Sequence, residues 1–151
     1  MSSLGNNEIE LTFGSDLSYL DFVQEVSDSL SRALGFDADS LYWIGLAVRE
    51  AVTNAIQHGN REDRSKPVRV RFRVTDRILR IAVHDQGEGI SEERIPDPLN
   101  PDNLLKPGGR GIFFVRSFME NVRFRVPPEG GHEIIMEKSR VINNEGEEND
   151  D

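Results

Sequence analysis

The sequence predicts an α+β domain, a two-layer α/β sandwich in which helices cover one face of a mixed, mostly antiparallel sheet. Three observations carry that expectation. VRVRFRV at 68–74 and RILRIAVHD at 77–85 alternate apolar and polar residues, the period of strands covered on one side only. The turn around Thr75-Asp76-Arg77 is too short for a crossover, so these two strands pair antiparallel. Apolar residues at three-and-four spacing mark two helices before this hairpin and one after it, a segregation that gives layers.

Taken in order, IELTF at 9–13 alternates and reads as a first strand. The next stretch, DLSYLDFVQEVSDSL, places Leu17, Leu20, Val23, Val26 and Leu30 on one helical face, and Gly35 ends that helix. Asp37 or Asp39 caps a second helix, from about Ser40 to His58 and stopped by Gly59. Its apolar band is Leu41, Ile44, Val48, Ala51, Val52 and Ala55. In the strand after Pro67, Val68, Val70, Phe72 and Val74 point inward while Arg69, Arg71 and Arg73 point out. Residues 90–107, rich in Pro, Asp and Asn, form a long loop; GGRG then leads into a helix, IFFVRSFMENV. Two last strands, near Val122 to Val126 and His132 to Lys138, make a hairpin around PPEGG.

Composition narrows the classes. A chain of 151 residues with 36% hydrophobic content suits one packed domain and argues against general disorder. The absence of cysteine removes disulfides and thiolate metal sites. With no apolar run near 18 residues and no basic-then-hydrophobic start, the expectation is a soluble, cytoplasmic protein without a membrane association. The net charge of −9 is partly terminal: EGEENDD carries five acids, and the remaining 22 acidic against 18 basic residues leave −4. Such a body does not favour general nucleic-acid binding. The row of Arg69, Arg71 and Arg73 is either a docking surface for an acidic protein or the solvated face of a strand.

Three stretches carry chemistry. In EAVTNAIQHGN, at 50–60, Glu50, Asn54 and His58 recur every four residues and share one helix side, about 6 Å apart along the axis. For a helix alone this is an exposed polar stripe. The small neighbours Ala47, Ala51 and Ala55 also leave room for something large, and the two oxygen-bearing side chains suit Mg²⁺ shared with phosphates. His58, beside Gly59, reads as a helix-end cap or packing residue. DQGEG, at 85–89, follows a strand directly. It is either an Asp-capped turn or a loop where backbone meets a ligand and Asp85 accepts from an amino group, a bond worth roughly 1.5–3 kcal/mol when shielded. GGRGIFF, at 108–114, is either a hinge or an anion site at a helix N-terminus; neither GxxxxGK[ST] nor GxGxxG in a parallel unit is present.

The order of these stretches resembles the Bergerat-type ATP-binding fold shared by gyrase, heat-shock chaperone, histidine-kinase and mismatch-repair ATPases. Within that group the chain is most similar to the small anti-sigma-factor serine kinases, from about residue 9 to 138. Glu50-x-x-x-Asn54-Ala55-x-x-His58-Gly59 matches the family's N box; Asp85-x-Gly87-x-Gly89 and Gly109-Arg110-Gly111-Ile112 match its two glycine boxes.

The resemblance implies a histidine-kinase-like ATPase domain over residues 1–138; the acid-rich remainder, 139–151, reads from its charge as a disordered tail. It implies Asn54 as the Mg²⁺ ligand, Glu50 as the catalytic carboxylate and Asp85 as the residue that meets the adenine amino group. Gly87 and Gly89 would shape the nucleotide pocket, and Gly108, Gly109, Arg110 and Gly111 would flank the triphosphate. The segment 91–107 would be a lid, irregular because of Pro96, Pro98, Pro101 and Pro107. The implied activity is transfer of the γ-phosphoryl of ATP to a serine or threonine of a small anti-anti-sigma-type protein, by a homodimer that also sequesters a sigma factor. The alternatives are a nucleotide-modulated binding module with little catalysis, and an ATPase regulating a non-transcriptional signalling partner.

Overall fold

The structure, a computed structural model, describes residues 7–87 and 109–140. Strand β1 (Asn7–Gly14) is followed by a 3-10 turn at Leu17–Tyr19 and by helices α1 (Leu20–Ala33) and α2 (Ala38–Asn54). The chain then forms the hairpin β2 (Pro67–Val74) and β3 (Ile78–Asp85), helix α3 (Gly109–Phe118), and the hairpin β4 (Glu120–Arg125) and β5 (His132–Ser139). Asp37, not Asp39, caps α2: its carboxylate accepts from Ser40 N at 2.7 Å. Gly35, at φ +85°, takes the left-handed step out of α1.

The strand order is β1-β2-β3-β5-β4, and every pairing among the described residues is antiparallel. Among the described residues no strands of this sheet pair in parallel, for a topological reason. Two helices between β1 and β2 carry the chain out and back, so β2 returns opposed to β1. Strands β3 and β4, with α3 the described helix between them, run the same way, but β5 inserts between them and opposes both.

One face of this sheet is the core. Val68, Val70, Phe72 and Val74 of β2, Leu79, Ile81 and Val83 of β3, and Ile134 and Met136 of β5 pack against Val23 of α1, Ile44, Val48, Val52 and Ile56 of the α2 region and Val115 of α3. Each such side chain contributes about 1.5–3 kcal/mol on burial. Trp43 of α2 stacks on Phe118 at the end of α3, with ring centroids 3.7 Å apart, which pins the third helix to the second. Helix α3 ends at Phe118, four residues before the Val122 end read from sequence; β4 starts at Glu120, and Asn121, at φ +48°, sits in the irregularity of that strand between Glu120 and Arg123.

The opposite face carries the arginines, and charge there is internally matched. Arg71 reaches across small Ala82 to Glu133 at 2.8 Å, Arg69 pairs with Glu129 at 2.8 Å, and Arg80 with Glu137 at 2.8 Å. Arg125 approaches Glu133 at 3.5 Å. Glu133 is 1% exposed, so this face is a cross-strand ion-pair lattice and not a basic patch.

Candidate functional site

Helix α2 does not run on to His58 as a plain α-helix. Residues Ala55–Gly59 form a π-helical segment, closed by Asn60 N donating to Ala55 O at 2.8 Å. Such a widened turn commonly marks a working part of a helix. Here it delivers Asn60 into the interior at 0% exposure. Its amide joins three parts of the chain: Nδ2 donates to Ser15 Oγ (2.9 Å), Lys66 O (3.2 Å) and Pro67 O (3.1 Å), while Oδ1 accepts from Gln86 N at 2.8 Å. The end of the N-box helix is thereby tied to the loop that begins at Asp85.

That tie explains the glycines. Gly59 lies so close to Asp85 that a Cβ there would stand 2.6 Å from Oδ1 and nearer still to the carboxyl carbon. A Cβ on Gly87 would in turn overlap the carbonyl of Gly59. Gly87 is required by close backbone approach and Gly59 by the approach of the Asp85 carboxyl, so Gly59, read from sequence as a helix stop and as the end of the N box, packs directly on Asp85. Asp85 Oδ1 accepts from Gly87 N at 2.8 Å, which holds the carboxyl in place.

Asn54 and Asp85, 31 positions apart in sequence, line one cavity of about 50 Å³ together with Ala51, His58, Phe124 and His132. Asn54 is 8% exposed, and its Nδ2 has no partner among the described residues, a buried amide facing a space that a ligand can fill. Asp85 is 5% exposed. Burial raises its pKa above the ordinary carboxyl value, while the Gly87 N–H and the nearby His132 and His84 rings pull it back.

Glu50, one turn before Asn54, faces a neighbouring groove of about 320 Å³ with Trp43, Leu46, Ala47, Val115, Phe118 and Gly111. A Cβ on Gly111 would overlap the Glu50 carboxylate, so the second glycine box rests on the N box. Burial raises the Glu50 pKa, and His58 opposes that rise. The expected line of Glu50, Asn54 and His58 therefore serves two adjoining compartments. Gly109 opens α3; Gly89, Gly108, the 91–107 segment and the Arg110 side chain lie outside the described residues, as does the tail from 141 onward. Ser139 and Arg140 continue the fold, Arg140 N donating to Arg77 O at 2.7 Å.

A family model described as the histidine kinase-like ATPase domain matches residues 13–138. The chain belongs to that family. Within this ATPase family it groups with the anti-sigma-factor serine kinases. It is 34% identical over 140 residues to the anti-sigma F factor of Clostridium acetobutylicum, covering 90% of this chain and 96% of that one. It is 27% identical over 136 residues to the serine-protein kinase RsbW of Bacillus subtilis, covering 86% and 84%. The fold is also that of a crystal structure of the RsbU and RsbW domains of Rv1364c from Mycobacterium tuberculosis. There the TM-score is 0.64 at 18% identity, over 89% of this chain and 33% of that longer one.

Set in the histidine kinase-like ATPase frame, the residues that sequence reasoning overlooked are Asn60, Phe124 and His132. Asn60 stood in plain view beside Gly59, but only the π-helical turn shows where it goes. Phe124 and His132 reach the cavity through the β4–β5 hairpin, whose place beside β3 no local pattern announces. No group of three or more His, Cys, Asp or Glu able to hold a metal occurs among the described residues. No helix among the described residues is long and apolar enough to cross a membrane.

Proposed function

We propose that the chain is an ATP-dependent serine/threonine protein kinase and anti-sigma factor, acting in the cytoplasm as a homodimer on a small anti-anti-sigma-type protein. The observation that carries the reading is the shared cavity of Asn54 and Asp85, with the Glu50 carboxylate one helical turn away against Gly111. Asp85 accepts from the adenine amino group, held in place by Gly87 N and, through Gln86, by Asn60. Gly87 and Gly89 shape the pocket. Gly108, Gly109, Arg110 and Gly111 meet the phosphates, where the first amides of α3 and the helix dipole favour negative charge. Asn54 would hold Mg²⁺, and the cation would neutralise charge on the transferring phosphoryl.

The reaction forms a bond between the partner's hydroxyl oxygen and the γ-phosphorus and breaks the bond from that phosphorus to the β–γ bridging oxygen, releasing ADP. The hydroxyl proton passes to Glu50. A carboxylate whose pKa is raised by burial is a better base than a free one. Alignment supplies most of the acceleration, because the transition state is loose.

Sigma-factor sequestration is proposed from the names of the relatives, which include an anti-sigma F factor. A protein partner is favoured over nucleic acid because the arginines of the open sheet face are matched by glutamates. The test is transfer of radiolabelled γ-phosphate to proteins captured from the source cell, with wild type and Glu50→Gln compared. Label on a small partner with wild type alone supports the kinase. Nucleotide binding with sequestration and no label would leave only a nucleotide-tuned binding module.

A further inference from the structure

Position 132 begins β5 and lies directly opposite Asp85 on β3. Residues facing each other across an antiparallel pair have Cβ atoms roughly 4.5–5.5 Å apart and share a sheet face. Both line the cavity that also holds Asn54. His132 is 9% exposed, and its ring stacks against Phe124 with centroids 5.4 Å apart at 28°. Arg116 of α3 lies over the Phe124 ring at 5.7 Å. The imidazole is therefore held by packing beside the carboxylate, whose electrostatics it already affects.

The two side chains differ in what they offer a ligand. Ionised Asp85 only accepts hydrogen bonds, whereas an imidazole carries at least one N–H in every protonation state. Together they place an acceptor and a donor side by side in a buried pocket. We propose that His132 is a specificity-determining residue of the nucleotide site, supplying the donor that, with Asp85 as acceptor, reads a purine bearing an amino group next to an unprotonated ring nitrogen. The inference rests on the ATP reading above and deepens it. Adenine offers that pair; hypoxanthine presents a carbonyl and a protonated ring nitrogen in the same places. Sites that hydrogen-bond a ligand reject its mismatched analogue strongly, because buried polar groups are left unpaired.

The experiment is calorimetric titration of the full chain with ADP and with IDP, in magnesium, for wild type, His132→Phe and His132→Gln. Phe keeps a ring to stack on Phe124 and removes the donor; Gln restores an N–H. Wild type is expected to prefer ADP over IDP by more than tenfold. The Phe variant should shrink that ratio about tenfold, and Gln should return it to within threefold of wild type. A Phe variant with the wild-type ratio would overturn the assignment. Should that variant misfold, the wild-type His132 imidazole resonances decide: they must shift on ADP addition, and silence there would overturn it equally. Wild type binding neither nucleotide would instead remove the ATP site itself.

Discussion

The carboxylate of Glu50 lies against the Cα of Gly111, so close that a single methyl on residue 111 would overlap it. Two segments separated by 61 positions are thus in contact at the point where the proposed base and the helix proposed to face the phosphates meet. Gly111→Ala should displace Glu50 while leaving the Asp85 cavity alone. The expected result is a fall in phosphoryl transfer of about 10²-fold, the scale of a misplaced catalytic group. ADP affinity, read by calorimetry, should change less than fivefold, a rough bound for a site whose base-binding end is untouched.

Glu50→Gln separates chemistry from binding. Loss of a general base costs about 10²–10⁴-fold in rate, so transfer should drop by that range with nucleotide affinity retained. The same variant has a stability consequence. Burial raises the folded pKa of Glu50 above its ordinary value of 4.5, so the ionised form is less favourable folded than unfolded. Its contribution is fully present below the unfolded pKa and is lost as pH rises through the folded one. Thermal melts should find the Gln variant more stable than wild type at pH 7.5, with the gap closing as pH falls toward 4.5. A gap that widens in acid would contradict the burial argument.

The pH profile of transfer should carry the same signature. Because the base must be ionised, rate rises with pH through the Glu50 pKa, and the acid limb should lie above pH 4.5. His58 opposes the rise, so His58→Ala should move the acid limb further up. An acid limb that stays put in the variant would show that His58 does not act on Glu50.

Gly59→Ala drives a methyl into the Asp85 carboxylate. The predicted outcome is at least tenfold weaker ADP binding in a protein whose circular dichroism is otherwise native, since Asp85 must move or Gly87 N must let go. Wild-type affinity in this variant would mean that the carboxylate is not held where it reads a base.

Asn60→Ala removes the amide that joins Ser15, Lys66, Pro67 and Gln86; Gln86 N and Pro67 O lose it, while Lys66 O keeps the Ser15 hydroxyl at 2.6 Å. A loss of about 2–4 kcal/mol in urea unfolding is expected, the usual cost when a buried network loses its centre. ADP affinity should weaken as well, because the loop following Asp85 loses its anchor. Destabilisation without any change in affinity would make Asn60 a core residue only.

Much of this molecule follows from local pattern. Alternation in VRVRFRV and RILRIAVHD settles which side chains enter the core, because a strand repeats every two residues whatever it pairs with. The short turn between them decides their antiparallel sense, and the glycine boxes announce close backbone approach. Local pattern is silent on which distant strands become neighbours. The insertion of β5 between β3 and β4 sets His132 opposite Asp85 and lets Arg71 meet Glu133, and both depend on long-range register. The same holds for Asn60: periodicity continues the helix smoothly past Asn54, and the widened turn arises where the chain must satisfy buried groups on β2, β3 and the end of β1 at once. Neighbouring residues govern periodicity and turn length, whereas the pairing of remote segments is chosen by the packing of the whole core.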